Sequence, residues 1–339
     1  MSLKHSIILG IESSCDDTSA AILVGNQIGS NCIANQKIHQ EYGGVVPELA
    51  SRAHQENIIP VVNKALKQAQ VDIKDIDAIA CTRGPGLMGS LVVGVSFSKA
   101  LALSLGIPII EVNHMKAHIL AHFIHDETKS PPNFPFICLT VSGGHTQLVQ
   151  VDSPYEMKVI GSTIDDAAGE AFDKTAKMLG IEYPGGPKLD EFAHSGDPYK
   201  FKFSKPKVSN LDFSFSGLKT SVLYNLRDWK KEDEQFIENN FHDLCASIRF
   251  TIIEVLMNKL EMASKQTGIT EIAIAGGVSA NSELRLRLKE KQKDGWKIHI
   301  PKLEYCTDNA AMIAIAGKFS FDKKIFSDQK MAANPRLPW

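Results

Sequence analysis

Cysteine is scarce in this chain, and the few cysteines are scattered. Six of the 339 residues are cysteine, and no two of them form a C-x-x-C pair. Isolated cysteines fit free or buried thiols in a reducing compartment better than a disulfide framework. We therefore expect a cytoplasmic protein with unpaired thiols at Cys15, Cys32, Cys81, Cys138, Cys245 and Cys306.

An excess of charge of either sign is also missing. The chain has 37 Lys and Arg against 39 Asp and Glu, and its pI is near 6.6. Proteins that coat nucleic acids or membranes carry a strong positive balance, so the near-neutral charge argues against these classes, while it leaves room for a local basic patch.

Long hydrophobic runs are absent as well. The start, MSLKHSIILG, has an apolar run of about five residues, too short for a signal sequence, and it lacks the arginines of a transit peptide. The most apolar segment, 91–110, is interrupted by Lys99, Gly106 and Pro108. This pattern predicts a buried helix followed by a strand, and no membrane association.

Two segments, 6–24 and 136–151, share one layout of apolar strand, small polar turn and apolar strand. Such a repeat indicates an internal duplication. Strand and helix patterns alternate between the two segments, which predicts an α/β fold. A proline cluster at 131–135 breaks the chain before the second segment and marks a domain boundary.

Four histidines at spacings of four, four and three predict a polar stripe along one helix: His114, His118, His122 and His125. Side chains at i and i+4 share a helix face, so His114 and His118 can hold one ion. His122 lies about 12 Å along the axis from His114 and cannot join that site. A stripe of neutral histidines remains the alternative. Asp308 could supply a third ligand, although an Asp before an apolar helix is usually an N-cap.

Two Gly-Gly bends follow apolar strands, at 141–147 and 275–283. Such bends can turn successive backbone N–H groups toward a phosphate, while a tight hairpin or a helix cap by Asn281 or Ser282 is the alternative. The chain has no G-x-x-x-x-G-K-[ST] and no G-x-G-x-x-G after a strand. A nucleotide site would therefore be neither a P-loop nor a Rossmann site.

Charged residues could complete a nucleotide or nucleic-acid site. Glu170, Asp173 and Asp190 could accept ribose hydroxyls, with solvated helix faces as the alternative. The run YKFKFSKPK suits phosphate contacts and base stacking, with a solvated edge as the alternative. Its lysines are Lys200, Lys202, Lys205 and Lys207, and its aromatic residues are Tyr199, Phe201 and Phe203.

Ten motifs lie in order along nearly the whole chain: GIESSCDDTSAAI, GGVVPELASRAHQENI, TRGPGLMGSLVVG, NHMKAH, VSGGHTQL, DDAAGEAFDKTAKMLG, YPGGP, FSFSGLKT, IAGGVSANSELR and TDNAAMIA. Together they resemble the tRNA adenosine threonylcarbamoyltransferases of the TsaD type, formerly named glycoproteases. The ESSCDDTS turn resembles the bacterial or organellar branch rather than the archaeal one. The ending NPRLPW differs from the basic, Trp-containing tail of that family.

The resemblance implies the actin and hexokinase type of fold, ribonuclease H-like, with two duplicated lobes around a nucleotide cleft. We expect an N-terminal lobe at 1–130, a C-terminal lobe at 131–305 and a final helix within 306–339 that returns to the first lobe. The implied activity transfers threonylcarbamoyl from threonylcarbamoyl-AMP to the adenine next to the anticodon, in tRNAs that read codons starting with A.

The resemblance also implies the site residues. One divalent metal, iron with zinc as the alternative, would bind His114, His118 and Asp308. Glu12 and Asp16 are candidates for orienting groups or a catalytic base. The implied substrate contacts are Thr140, Val141, Ser142, Gly143, Gly144, Asp173, Gly186, Asp190 and Asn281. The implied protein partners are a degenerate homologue of the same fold and a small P-loop ATPase.

Two other classes of function compete with the transferase. A zinc peptidase of the H-E-x-x-H type would carry Glu directly after the first histidine, where this chain has Met115. A non-enzymatic nucleotide-binding scaffold would have no need of a His, His and Asp metal set. Metal analysis separates these classes.

Overall fold

The computed structural model describes residues 5–36, 39, 42–206 and 208–339. Within these ranges the strands are Ile7–Glu12 (β1), Thr18–Val24 (β2), Gln27–Ala34 (β3), Ala78–Gly84 (β4), Ile109–Asn113 (β5), Phe136–Val141 (β6), Thr146–Val151 (β7), Met157–Ser162 (β8), Glu271–Ala275 (β9) and Lys297–His299 (β10). The α-helices are Pro47–Ala69 (α1), Met88–Leu105 (α2), His114–Leu120 (α3), Ala168–Met178 (α4), Gly185–Phe192 (α5), Ser216–Glu232 (α6), Phe236–Asn239 (α7), Phe241–Thr267 (α8), Ser282–Glu290 (α9) and Ala310–Asp322 (α10).

The chain divides into two compact units. The first contains Met1–Pro132 and Pro301–Trp339, and the second contains Asn133–Ile300. In the first unit the strand order is β3-β2-β1-β4-β5. Strand β1 pairs antiparallel with β2 and parallel with β4, and β4 pairs parallel with β5. The division into domains at 130 and 305 stays a prediction.

The sheet of the second unit repeats this pattern. Its order is β8-β7-β6-β9-β10, where β6 pairs antiparallel with β7 and parallel with β9. Strands β7 and β8 are antiparallel, and β9 and β10 are parallel. Both sheets therefore have the same order and the same strand directions, which confirms the duplicated α/β lobes predicted from the sequence.

Helices cover both faces of the first sheet. Leu9 and Ile11 point into one apolar cluster with Val61 and Val62 of α1. On the opposite face α10 lies so close that a Cβ on Gly10 would be 2.4 Å from the backbone oxygen of Ala310. Burial of each Leu or Ile side chain of these strands stabilises the folded state by about 1.5–3 kcal/mol. Such burial on both faces accounts for the continuous apolar runs of the central strands.

Helix α2 carries an apolar face that the first unit does not cover. The predicted helix and following strand are confirmed as α2 and β5, but the expectation of a buried helix is wrong. Only a third of α2 is buried, and Met88, Val92 and Leu103 are 53%, 46% and 71% exposed. By length and composition alone α2 could cross a membrane, which is weak evidence since core helices of soluble proteins also pass this test.

The histidine helix is shorter than its sequence pattern predicts. Helix α3 ends at Leu120, and a 3-10 turn follows at Ala121–Phe123. His122 lies in that turn, and His125 lies in the loop beyond it. The prediction of four histidines on one helix face is therefore wrong, and only His114 and His118 share the helix.

Candidate metal centre and substrate-binding residues

Helix α3 begins where the parallel strand β5 ends. The side-chain oxygen of Asn113 accepts hydrogen bonds from the backbone N–H groups of Met115 and Lys116 at 2.9 and 3.2 Å, which caps the helix. One turn separates His114 from His118, both are buried, and their Nε2 atoms lie 3.2 Å apart. The two imidazoles thus present their Nε2 atoms to one point.

Asp308 is the third member of this group. Its carboxylate is available because a different residue caps the final helix. The N-cap of α10 is Asn309, whose side chain accepts from Met312 N at 3.1 Å. Asp308 is not the cap, contrary to the interpretation that the sequence alone favours. Its Oδ1 atom lies 3.2 Å from His118 Nε2 and 3.4 Å from His114 Nε2.

These three residues fit a divalent transition metal. One ligand atom from each of His114, His118 and Asp308 lies within 4.8 Å of the others, so a small shift can bring all three to one ion. Imidazole nitrogen and carboxylate oxygen suit both zinc and iron(II), and three protein ligands leave positions open for a substrate.

Glu12 supports the far side of the His114 ring. Its Oε2 lies 3.1 Å from His114 Nδ1 and accepts a hydrogen bond of 2.6 Å from Thr82 Oγ1. Its Oε1 accepts from Ser14 N at 2.5 Å, and Glu12 is fully buried. A carboxylate on the distal nitrogen of a metal-binding histidine fixes the ring orientation and tautomer. Both oxygens are thus engaged, which favours an orienting role over a catalytic base.

Charge and burial shift the titration of these groups. Burial lowers the pKa of His114, but Asp308 and Glu12 outweigh it and hold that pKa well above its usual value. Burial raises the pKa of Asp308, but His114 and His118 hold that pKa below its usual value. Burial likewise raises the pKa of Glu12, and the charge and hydrogen bond of His114 lower it overall. The cluster is therefore strongly coupled electrostatically.

The turn between β1 and β2 brings more acidic groups near this cluster. Asp16 and Asp17 are both half-buried there. Burial, followed by the charges of Asp16 and Asp308, raises the pKa of Asp17 to about 7. The buried His54 ring holds the turn, since its Nδ1 lies 2.7 Å from Thr18 Oγ1 and its Nε2 lies 3.0 Å from the carbonyl of Cys15.

Several supporting residues escape the sequence reasoning. The adjacent acids in ESSCDD could have drawn attention to Asp17. Thr82, Ser14 and His54 have no local signal, because the side-chain contacts that bring them to the site join residues 36 or more positions apart. All six cysteines are free, as predicted.

The glycine-rich hairpin of the second unit is built around Ser142. Its backbone N–H donates to the carbonyl of His145 at 2.8 Å, and its Oγ accepts from His145 N at 3.2 Å. Gly143 and Gly144 at the tip are exposed, and a Cβ on either would meet nothing within 4 Å. The tip therefore has room for a ligand against its backbone.

Two further glycines let the backbone approach this hairpin. A Cβ on Gly276 would lie 2.4 Å from the carbonyl oxygen of Val141, and its φ is +87°. A Cβ on Gly169 would lie 2.6 Å from the carbonyl oxygen of Ser142. The side chains of Thr140 and Val141 are buried. Thr140 and Val141 therefore lie beneath the exposed tip and support the hairpin from within the sheet.

The two aspartates named as substrate contacts also hold helix starts. Asp173 Oδ1 accepts from the N–H groups of Gly185 and Gly186, each at 2.9 Å. Burial raises the pKa of Asp173 despite these bonds. Asp190 accepts from Arg249 Nη1 at 2.8 Å and from Ser282 N and Oγ at 2.9 Å. The carboxylates are thus fixed in place by the protein itself.

Asn281 caps helix α9, where its side-chain oxygen accepts from Leu284 N at 3.0 Å. The cap was one of the two alternatives for the 275–283 bend. Backbone atoms of Gly277 remain accessible, since a Cβ there would meet nothing within 4 Å.

The basic aromatic segment packs differently from its sequence interpretation. Phe203 is 6% exposed, and the Phe201 ring packs against Trp229 at 5.0 Å between centroids. The base-stacking role suggested for Phe203 is therefore wrong, because its ring belongs to the core of the second unit, against which the partly buried Phe201 packs. Tyr199 is 70% exposed, so a stacking role for it stays a prediction. Lys200 pairs with Asp243 at 2.7 Å and Lys205 pairs with Glu254. Lys202 is exposed, and Lys207 lies outside the described residues.

Comparison with known proteins agrees with these features. The family model described as TsaD, tRNA N6-adenosine threonylcarbamoyltransferase, matches residues 27–315. The chain belongs to the TsaD family. A protein of Christiangramia forsetii named tRNA N6-adenosine threonylcarbamoyltransferase is 60% identical over 99% of both chains. One of the same name from Porphyromonas gingivalis is 58% identical over 94% of both.

Solved structures of other proteins share the fold of this TsaD family member. The (R)-2-hydroxyglutaryl-CoA dehydratase component A of Acidaminococcus fermentans gives a TM-score of 0.54 at 14% identity and covers 94% of this chain and 99% of its own. HypF gives 0.60 at 16% identity and covers 96% of this chain and 48% of its own. At such identities the likeness shows the fold alone. The fold is the two-lobed α/β type of actin and hexokinase, as predicted.

Proposed function

We propose that the chain transfers the threonylcarbamoyl group from threonylcarbamoyl-AMP to the N6 amino group of the adenine adjacent to the anticodon in tRNA. The observation that carries this proposal is the identity of 60% over 99% of both chains with a relative of that name. In the reaction the amino nitrogen bonds to the carbamoyl carbon, the bond from that carbon to the phosphate oxygen breaks, AMP leaves with the electron pair, and the nitrogen loses one proton.

The proposed metal ligands are His114, His118 and Asp308. Their convergence within 4.8 Å supports one divalent ion, for which iron is our first candidate and zinc our second. A bound ion supplies Lewis-acid polarisation and an orienting template for the acyl phosphate. Glu12 holds the His114 ring through Nδ1, and Thr82 and Ser14 hold Glu12.

We assign the donor–acceptor groups of the second unit to threonylcarbamoyl-AMP. We assign phosphate contacts to the N–H groups of Gly143 and Gly144, and the support for this is that both glycines are exposed with open space around them. The remaining assigned contacts are Thr140, Val141, Ser142, Asp173, Gly186, Asp190 and Asn281.

Asp16 is our candidate for accepting the proton of the amino group. Glu12 is fully buried and both its oxygens accept hydrogen bonds, so it is poorly suited to that task. Asp16 is half-buried in the same turn. A base must reach the reacting proton, and an accessible carboxylate meets that requirement better than a buried, saturated one.

We propose tRNA contacts at Lys200, Lys202, Lys205 and Lys207. The exposed Lys202 supports this assignment, whereas the ion pairs of Lys200 and Lys205 must open before either lysine can contact a phosphate. The lysine contacts would be electrostatic, and the exposed Tyr199 is the candidate in this segment for stacking on a base.

Protein partners are part of the proposal. The chain has no P-loop for ATP-driven cycling, and it leaves Met88, Val92 and Leu103 of α2 exposed along one helix. An apolar helix face of this kind suits a protein interface. We propose a degenerate homologue of the same fold and a small P-loop ATPase as partners, in the cytoplasm and away from membranes.

Nucleoside analysis of tRNA tests the proposal. Unmodified tRNA is incubated with the chain, a cytosolic extract depleted of this protein, and synthetic threonylcarbamoyl-AMP. We expect threonylcarbamoyladenosine next to the anticodon, and none when either the chain or threonylcarbamoyl-AMP is omitted. Unmodified tRNA in the complete reaction would overturn the proposal. Cleavage of a protein substrate in place of tRNA modification would revive the metallopeptidase alternative, which Met115 disfavours.

A further inference from the structure

The last thirteen residues, Ser327–Trp339, follow α10 without forming a helix. We call this segment the C-terminal strap. Its sequence includes NPRLPW, for which the proposed function has no use. The strap makes hydrogen bonds to β4, β5, α2 and the loop after β4, and these contacts lead toward the candidate metal centre.

The first half of the strap is attached to the free edge of the sheet. Ser327 N donates to the carbonyl of Ile109 at 2.9 Å, and Ser327 Oγ accepts from Glu111 N at 3.1 Å. Met331 is 6% exposed within the core cluster of the first unit, and its carbonyl accepts from Lys99 Nζ at 2.9 Å. This half is therefore anchored by both burial and hydrogen bonds.

The second half crosses the end of β4 and the loop that follows. Asn334 N donates to the carbonyl of Arg83 at 2.9 Å, and Gly86 N donates to the carbonyl of Pro335 at 3.2 Å. A Cβ on Gly84 would lie 1.9 Å from the carbonyl oxygen of Asn334, so only glycine permits this approach. The strap and the loop are thus packed backbone against backbone.

The end of the strap reaches the cap of the histidine helix. Asn113 Nδ2 donates to the carbonyl of Pro338 at 3.0 Å, while Asn113 Oδ1 caps α3. One amide therefore joins the strap to the start of α3, and the next residue is His114. The donor to the strap and the acceptor for the cap are the two ends of a planar group, so movement of one displaces the other.

The loop held by the strap also supports the metal ligands. Leu87 N donates to the carbonyl of Ser14 at 2.7 Å, and Ser14 Oγ lies 3.1 Å from His114 Nδ1. Thr82, next to Arg83, donates to Glu12. The strap therefore lies one layer behind two of the groups that orient His114.

We propose that the C-terminal strap positions the metal ligands, and that Asn113 is the positioning residue through which its end acts on α3. The inference rests on the metal site of the proposed function. Groups that orient metal ligands contribute about 10–100-fold to affinity, so loss of the strap should weaken metal binding without removing any ligand.

The test measures the dissociation constant and the visible absorption spectrum of Co²⁺ bound to the full chain and to variants. Asn113→Ser keeps a capping oxygen but is too short to reach Pro338. Deletion of 338–339 removes the same contact from the other side, and deletion of 334–339 also frees the loop after β4. Lys330→Ala, an exposed strap residue, is the matched control.

We expect Asn113→Ser and the 338–339 deletion each to raise the Co²⁺ dissociation constant about tenfold. The double variant should bind Co²⁺ as tightly as either single variant, since both changes remove the same contact between Asn113 and Pro338. The 334–339 deletion should bind Co²⁺ more weakly than either of these variants and show an altered absorption spectrum. Lys330→Ala should bind Co²⁺ as the parent chain does. If that deletion unfolds the chain, the two smaller changes decide.

Two results would overturn the inference and can be told apart. If both Asn113→Ser and the 338–339 deletion bind Co²⁺ as tightly as the parent chain, the positioning role of the strap is refuted and the proposed metal site is unaffected. A parent chain that binds no Co²⁺ would remove the metal site itself, and the strap proposal with it.

Discussion

Glu12 and His114 face each other across 3.1 Å, with the carboxylate on the ring nitrogen opposite the one that points to His118 and Asp308. Glu12 ends β1 and His114 begins α3, so the contact joins the central strand of the sheet to the ligand helix. The ring is therefore oriented from the core of the fold, and its Nε2 atom faces the other two groups of the cluster.

Removal of a metal ligand should abolish metal content. We expect His118→Ala and Asp308→Ala to lower it from about one ion per chain to near zero, because two remaining ligands bind weakly. His122→Ala is the matched control, since His122 lies in the 3-10 turn after α3. Elemental analysis of the purified variants measures the outcome. Loss of metal from His122→Ala alone would show that the ligand set is wrong.

Glu12→Gln should weaken metal binding while the three ligands stay intact. The amide removes the negative charge beside His114 Nδ1, and we expect the affinity for Zn²⁺ to fall about 10–100-fold. Asp16→Asn should leave that affinity within about twofold and lower the transfer rate, if Asp16 accepts the proton. Competition with a chelator gives the affinities. Equal loss of Zn²⁺ in both variants would contradict the assignment of separate roles.

Gly276 and Gly277 offer a matched pair in the second unit. Gly276→Ala should destabilise the chain by about 2–4 kcal/mol, because the added Cβ meets the Val141 carbonyl and the backbone has a positive φ. Gly277→Ala should leave the thermal midpoint nearly unchanged, since its Cβ would be in open space. Thermal denaturation measures both. If threonylcarbamoyl-AMP contacts the Gly277 backbone, Gly277→Ala should weaken its binding without a loss of stability.

Alanine replacement of Lys200, Lys202, Lys205 and Lys207 should weaken tRNA binding and flatten its salt dependence. Each lost phosphate contact lowers the slope of log affinity against log salt by about one, because fewer counterions are released. Affinity for threonylcarbamoyl-AMP should stay unchanged. Titrations at several salt concentrations measure the slope, and an unaltered slope in the quadruple variant would exclude this segment as a tRNA contact.

The apolar face of α2 should be needed for repeated turnover. We expect the isolated chain to complete at most about one cycle, and depleted cytosolic extract to restore many cycles, for the parent but not for Val92→Asp. The fold should persist, since Val92 is 46% exposed. Leu286→Asp, at a residue 54% exposed on α9, is the matched control. Multiple turnover by the isolated parent chain would refute the need for a partner.

Much of the fold follows from local patterns in the sequence. The two apolar hairpins, the strand after α2 and the first two histidines of α3 are set by periodicity and by the residues that end each element. The same pattern overextends α3, because a histidine spacing of four continues past Leu120 although the backbone tightens into a 3-10 turn. Spacing alone does not show where a helix ends.

The candidate site is predicted less completely because its contacts are long-range. The sequence predicts Asp308 as a helix cap, whereas in the structure its neighbour Asn309 is the cap. Phe201 and Phe203 alternate with lysines as stacking residues would. Yet Phe203 is buried in the core and the partly buried Phe201 packs against Trp229 and Phe236, which lie 26 or more positions along the chain. The support of Glu12 by Thr82 joins residues 70 positions apart, a distance that no local pattern encodes.

The repeated hairpins carry a consequence for how the two lobes diverged. In β1–β2 the last paired residues are Glu12 and Ser19, and the turn between them holds Asp16 and Asp17. In β6–β7 the last pair is Val141 and Thr146, and the turn holds Gly143 and Gly144. Two similar strand pairs are thus joined by turns of different chemistry. The β1–β2 turn carries carboxylates, which attract cations, and the β6–β7 turn exposes backbone amides, which attract anions. The first turn spans 13–18 and the second spans 142–145, so the two copies differ in turn length as well as in charge, and an exchange of one turn for the other would need a change of length as well as substitutions.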